Sequence, residues 1–202
     1  MAAKPLSEMT NEELWQLFPI VLTEPRNAQW AQSFQREKQA IQSAVGLSHI
    51  IAVHHIGSTA IQGILAKPTI DILLEITGDT DIHRLMKTME EIGYGYNDRP
   101  DSPPPHLTFI KGYTPEGFKG QVFHVHIRYE GDWPELHFRD YMNAHPNLVE
   151  EYAQLKLELK KRFEQDRDEY TRQKGDFIQK VQKLIEQEKS ADEGVTQPIP
   201  GK

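Results

Sequence analysis

Residues 55–71 read HIGSTAIQGILAKPTID, which puts a Gly-Ser-Thr turn, a lysine and an aspartate into one short unit. Gly57-Ser58-Thr59 follows an apolar, β-branched run (Ile50, Ile51, Ala52, Val53), and a second run (Ile70, Ile72, Leu73, Leu74) surrounds Asp71. The pattern predicts strand, Gly-Ser turn, short helix, strand. Such a turn offers backbone N–H groups and a hydroxyl at a positive dipole end, which suits a phosphate. Lys67 can neutralise that phosphate, and Asp71 can hold the divalent cation that accompanies it. The bland alternatives are an ordinary tight turn capped by Ser58 and a solvated lysine ahead of Pro68. Asp71 has no comfortable bland alternative: an ionised carboxylate in an apolar strand is costly unless cations or donors meet it.

His124 and His126 alternate in a strand-like stretch, so their imidazoles face the same way. The pair can bind a metal or meet a phosphate, or it is a hydrogen-bonded pair on a half-exposed sheet face. With His55 and Asp71 nearby it would make an acceptable zinc site, whereas His54 points the other way from His55. Glu75 lies about 13 Å along the strand from Asp71 at ~3.3 Å per residue, too far to share one ion. Thr69 and Leu73 occupy the positions where a close second acid belongs. Arg139 can clamp a phosphate bidentately or form a helix–sheet ion pair. Lys156, Arg162, Arg167 and Lys174 fall on amphipathic helices and are expected on the solvated face. Lys174 is the exception to watch, because the adjacent Gly175 suggests close packing or ligand approach.

These residues need elements to hold them. Thr10 with Glu13 fits a capping box ahead of Leu14, Trp15, Leu17 and Phe18, and Pro19 should end that helix. Ile20 to Leu22 is a brief strand. Asn27 caps a helix striped by Trp30, Phe34, Glu37, Ile41 and Val45, closed by Gly46. Thr80 caps another, with Ile82, Leu85, Met86, Met89 and Ile92 inward and Gly93 as its stop. Tyr94 to Tyr96 is a short strand. Asp98 to Pro105 is too proline-rich for helix or central strand. His106–Lys111 and Val122–Arg128 are two strands joined by a Gly-rich connection. Everything after Trp133-Pro134 is helical: Leu136 to Ala144, a stripe of Leu148, Tyr152, Leu155, Leu159 and Phe163, and another of Tyr170, Phe177 and Val181. The prediction is an α+β fold with a mixed sheet of five or six strands. It divides into an N-terminal helical extension (1–19), a sheet core (about 20–132), a helical section (about 133–189) and a flexible tail (190–202).

At 202 residues and 38% hydrophobic content, the chain can bury one good core. A net charge of −7 argues against general nucleic-acid binding, which needs a basic face. There are no cysteines, hence no disulfides and no thiolate chemistry. No run is long enough to span a bilayer and no signal-peptide core opens the chain, so a cytoplasmic protein without membrane partners is expected.

The stretches HIGSTAIQGILAKPTIDI (55–72), FHVHI (123–127), FRDYMNAHP (138–146), EYAQLKLEL (151–159) and RDEYTRQKGDFI (167–178) together resemble the GrpB-like family. The resemblance spans about Ile20 to Ile185 and implies a nucleotidyltransferase-like fold related to DNA polymerase beta. That superfamily uses a Gly-Ser turn, two carboxylates one residue apart and a third from a later strand to hold two Mg²⁺ ions at the α-phosphate of a nucleoside triphosphate. Gly57 and Ser58 match the turn and Asp71 matches one acid, but the partner acid is missing at 69 and 73. The later strand offers His124 and His126 instead. The resemblance therefore implies a phosphate-bearing ligand, a nucleotide, held by Gly57, Ser58, Thr59, Lys67 and Arg139. Asp71, His124 and His126 are its expected catalytic and metal residues, with Mg²⁺ or Mn²⁺ ahead of Zn²⁺. Nucleotidyl transfer to a small acceptor is one expectation. A non-catalytic nucleotide- or coenzyme-binding module is a second, and a His/Asp metal-dependent phosphoester hydrolase is a third.

Overall fold

The run Ile70, Ile72, Leu74 and Ile76 is wholly apolar on one side, and a strand of that kind belongs inside a sheet. In the computed structural model, which describes residues 4–97 and 105–195, it does. Strand β2 (Thr69–Ile76) lies between β1 (Ile50–Ile56), antiparallel to it, and β5 (Gly117–Tyr129), parallel to it. β4 (Leu107–Thr114) and the short β3 (Gly95–Asn97) complete a five-stranded mixed sheet in the order β1-β2-β5-β4-β3. The parallel β2/β5 pair sets the register that matters: Asp71 stands opposite His124, and Leu73 opposite His126.

Side-chain alternation then divides the sheet. Ile70, Ile72, Leu74 and Ile76 of β2, with Phe123, Val125 and Ile127 of β5, join the main core. Asp71, His124 and His126 point to the opposite face. Helix α2 (Asn27–Val45) delivers Trp30, Phe34 and Ile41 to the core, and α3 (Ile82–Glu91) delivers Leu85 and Met89. Helices α4 (Pro134–Ala144), α5 (Pro146–Phe163) and α6 (Arg167–Val195) form the C-terminal section, where Tyr152 and Phe177 stack at 4.6 Å. A satellite core of Ile20, Leu159 and Tyr170 ties the segment before α2 to this section. Helix α1 (Asn11–Leu17) carries the expected capping box between Thr10 and Glu13.

Several local expectations are corrected. Ile20 to Leu22 is not a strand; a single bridge, Thr23 to Ala66, takes its place. Asn27 is the first residue of α2 rather than its cap, because its side chain is spent on Ile61 O (2.8 Å) and Gly63 N (3.0 Å). Asp81, not Thr80, caps α3, while Thr80 bonds Thr77. The Gly-rich connection between β4 and β5 is itself paired down to Thr114 opposite Gly117. Gly112 permits this: its φ is +94°, and a Cβ there would lie 2.9 Å from the Gln121 carbonyl. The tail expected from 190 starts too early, since α6 runs to Val195; residues 196–202, like 98–104 of the expected proline-rich loop, lie outside the described residues. No described helix is long and apolar enough to cross a membrane.

Gly175 is also corrected. A Cβ there would meet nothing within 4 Å, so the packing of the protein does not require glycine. Gly175→Ala should therefore stabilise the protein by about 0.5–1 kcal/mol through helix propensity. For a domain of this size that is a melting-point rise of about 1–4 °C in a thermal melt.

Candidate functional site

Gly57 closes β1 at φ +70°, ψ −172°, a region essentially reserved for glycine. The chain turns there through a single 3₁₀ turn, Ser58–Ala60, so the expected helix dipole is absent. The turn's importance lies in what it makes room for. A Cβ on Gly57 would overlap the Asp71 carboxylate and lie 2.9 Å from its Cγ. Asp71, a quarter exposed, takes that space and faces two imidazoles. Its Oδ1 accepts from His124 Nδ1 at 3.3 Å and lies 3.8 Å from His126 Nε2. Burial raises the Asp71 pKa, but the hydrogen bonds and charge of the two histidines outweigh it and hold the carboxyl well below the ordinary range. On its other side His124 Nε2 shares a 2.9 Å hydrogen bond with the Tyr113 hydroxyl.

Around this trio opens a cleft of about 850 Å³, within the range of small-molecule sites. Its cations were not all anticipated. Lys67, Lys156, Lys174 and Arg167 line it together with Ser58, from the loop before β2 and from α5 and α6. Lys156 is only 2% exposed, its Nζ 3.4 Å from Ser58 Oγ and 4.5 Å from the Tyr152 ring centroid. Lys67 and Lys174 Nζ lie 5.6 and 4.6 Å from the Tyr170 ring centroid. Burial, then Lys174 and Arg167, push the Lys67 pKa down to about 7 against the pull of Asp71. Burial, then Lys174 and Lys67, push Lys156 to about 7 as well. Burial lowers Lys174 to about 8, with Asp71 opposing and Arg167 assisting. Such crowding of like charge asks for an anion.

The structure gathers Ser58, Lys67, Asp71, His124 and His126 on this cleft and leaves other expected residues elsewhere. Gly57 shapes the site from behind. Thr59 is buried at 2%, donating to Thr69 O at 2.9 Å and pairing with His55 at 3.0 Å. Arg139 donates to His55 O at 2.9 Å and pairs with Asp140, which fastens α4 to β1 away from the cleft. His55 does not approach His124 or His126, because β2 separates their strands; its ring stacks on Phe34 instead. Glu75 is occupied by His54, Gly131 N and Trp133 Nε1. Lys156 and Arg167 correct the expectation of a solvated face, while Lys174 is the exception that was expected. A signal for the lysines existed: Lys156 stands at i+4 from Tyr152, and Lys174 at i+4 from Tyr170 and i−3 from Phe177, so both interrupt apolar stripes.

Asp71, His124 and His126, the residues expected to hold a metal, face one another, with His124 Nδ1 3.3 Å from Asp71 Oδ1 and its Nε2 hydrogen-bonded to the Tyr113 hydroxyl at 2.9 Å. Among the described residues no group of three or more His, Asp or Glu side chains is gathered as a metal would need.

Comparison with known proteins follows the same geometry. The family model described as GrpB protein matches residues 19–184. The UPF0157 protein PA4798 of Pseudomonas aeruginosa is 35% identical over 165 residues, covering 78% of this chain and 64% of that protein. The chain thus spans less than two thirds of that relative. The glutamate-rich protein GrpB of Alkalihalophilus pseudofirmus is 33% identical, covering 80% of this chain and 92% of its own. The crystal structure of conserved protein GrpB from Enterococcus faecalis superposes with a TM-score of 0.68 at 29% identity, over 82% of this chain and 96% of that one.

Two outcomes follow. Gly57→Ala meets both a glycine-only conformation and the Asp71 carboxylate, so it should cost at least about 1–3 kcal/mol, read as a melting-point fall of about 2–12 °C. The lysines give a pH signature. Lys67 and Lys156 titrate near 7 in the native state against 10.5 as their ordinary value. Between those values the unfolded chain binds more protons, so their contribution to stability should rise with pH from about 7 to 10.5. Affinity for a phosphate anion should fall over the same interval as their charge is lost; melts and calorimetric titrations from pH 6.5 to 9.5 test both directions.

Proposed function

The chain belongs to the GrpB protein family, and from that premise we propose that it binds a polyphosphate-bearing ligand, a nucleotide, in the cleft beside Asp71. One observation carries this reading: Lys67, Lys156, Lys174 and Arg167 converge with the Ser58 hydroxyl on one cleft of a chain whose net charge is −7. A surplus of partly buried cations beside two carboxylates, Asp71 and Asp168, is poorly balanced until an anion enters. Lysine and arginine give strong, charge-assisted hydrogen bonds to phosphate oxygens. The cleft volume leaves space beyond a triphosphate for a nucleoside.

Within this reading, binding without turnover is favoured over nucleotidyl transfer. Metal-assisted transfer needs acids to hold the ions that activate the phosphate. Asp71 stands without a second carboxylate, since β2 has Thr69 and Leu73 at the neighbouring positions. The imidazoles of His124 and His126 are turned to Asp71, which also disfavours a His-based hydrolase. Asp71 then serves as the counter-charge that opposes the loss of the proton from Lys67 and Lys174.

Calorimetric titration with inorganic tripolyphosphate in EDTA tests the assignment. The wild-type protein should bind, and Lys156→Met should weaken binding about tenfold or more, the size of a lost charge-assisted contact. The melting point of that variant should hold or rise, because a buried cation is replaced by an apolar chain of similar length. Absence of binding that Mg²⁺ or Mn²⁺ restores would return Asp71 and the histidines to a metal role.

A further inference from the structure

The segment before residue 19 lies outside the family match, yet it lines the cleft. Leu14, Trp15 and Phe18 share its wall with Ser58, Lys67 and Lys156. The segment is braced within itself at its start and anchored to the body of the protein at its end. Thr10 and Glu13 close the capping box at the start of α1, and Lys4 pairs with Glu13 at 2.6 Å. At the other end Phe18 is 3% exposed, with its ring 5.0 Å from Tyr113 and 5.0 Å from Phe118. Arg167, itself a cleft cation, donates to the Phe18 carbonyl at 3.1 Å. One side chain thus joins the anchored segment to the cationic site.

Trp15 differs from the other two tryptophans. Trp30 is 2% exposed in the core, and Trp133 donates to Glu75 and meets the His106 ring edge-on. Trp15 is half-buried on the cleft wall. Among the described residues, no hydrogen bond, ring contact or cation engages it. An indole is a large apolar face, and one partly open beside a cationic pocket is suited to a ligand that is charged at one end and flat at the other.

We propose that α1 is the ring-binding wall of the cleft, with Trp15 as the face on which the ligand's aromatic base stacks while its phosphates meet the lysines. The ligand class is a nucleoside di- or triphosphate. Its ring is held by a segment outside the family match and its phosphates by residues inside it. Every base presents a π-face, so recognition by stacking discriminates weakly among bases. The inference rests on the phosphate-binding reading above.

Calorimetric titration of the full chain with ATP and, separately, with tripolyphosphate tests it, using wild type, Trp15→Ala and Trp15→Phe. Wild type should bind ATP more tightly than tripolyphosphate. Trp15→Ala should weaken ATP about 5- to 150-fold, the span of alanine losses at base-stacking sites, and leave tripolyphosphate unchanged; Trp15→Phe should recover most of the loss. ATP affinity unmoved by Trp15→Ala, or both ligands weakened alike, overturns the stacking role alone. Wild type binding neither probe overturns the phosphate reading and this inference with it.

Discussion

A carboxylate in a strand of isoleucines and leucines must be met by positive charge or by donors, and the surroundings of Asp71 are arranged around that requirement. Gly57 gives up its side chain so that the carboxylate fits against the turn. His124 is placed by strand register and held in orientation by its hydrogen bond with Tyr113. Lys67 and Lys174 stand near enough to feel the charge. The balance nonetheless overshoots. Three lysines and two arginines share the cleft with Asp71 and Asp168, and burial first, then neighbouring cations, hold the lysine pKa values down. A site built only for the fold would be more economical with buried cations.

The sheet supplies this cluster through its one parallel pairing. Parallel neighbours need a crossover connection, and here α3, β3 and β4 lie in sequence between β2 and β5. The result is that residues 71 and 124, more than fifty positions apart in the chain, sit side by side at the sheet centre. Alternation then sends the apolar residues of both strands into the core and the polar trio to the other face. The C-terminal helices bring the cations to that face, and Tyr170 organises them: it is fully buried and presents its ring to both Lys67 and Lys174.

Much of this was legible in the residues, and the misses have physical causes. Strands with strict period-two patterns, such as those carrying Asp71, His124 and His126, declare both their existence and their facing. The order of the strands does not, which is why His55 was grouped with the histidines of β5 although β2 lies between. Arg139 resembled a phosphate clamp because a lone arginine in a helix carries no record of its partner; here the His55 carbonyl takes it. Lys156 and Arg167 were discounted because an amphipathic stripe is normally judged by its apolar members. Lys156 among Tyr152, Leu155 and Leu159 was the informative exception. Tyr113 was hidden inside a Gly-rich stretch that resembled a loop and proved to be paired strand.

A protein that buries Lys156 and crowds three lysines together is less stable without a partner for them than it could be, and that deficit is itself informative. Anion binding to the native state alone raises stability in proportion to the logarithm of ligand concentration over Kd. The same event restores charge to lysines held near neutrality, so binding draws protons from solution. Strain of this kind concentrates at functional sites because a residue there is retained for what it does to the ligand rather than for the fold. The core strands need none of it: Ile70, Ile72 and Leu74 are buried without remainder. The unbalanced charge is confined to the opposite face, where the Gly57 turn, α5 and α6 meet, and that is the charge the proposed phosphate-bearing ligand would complete.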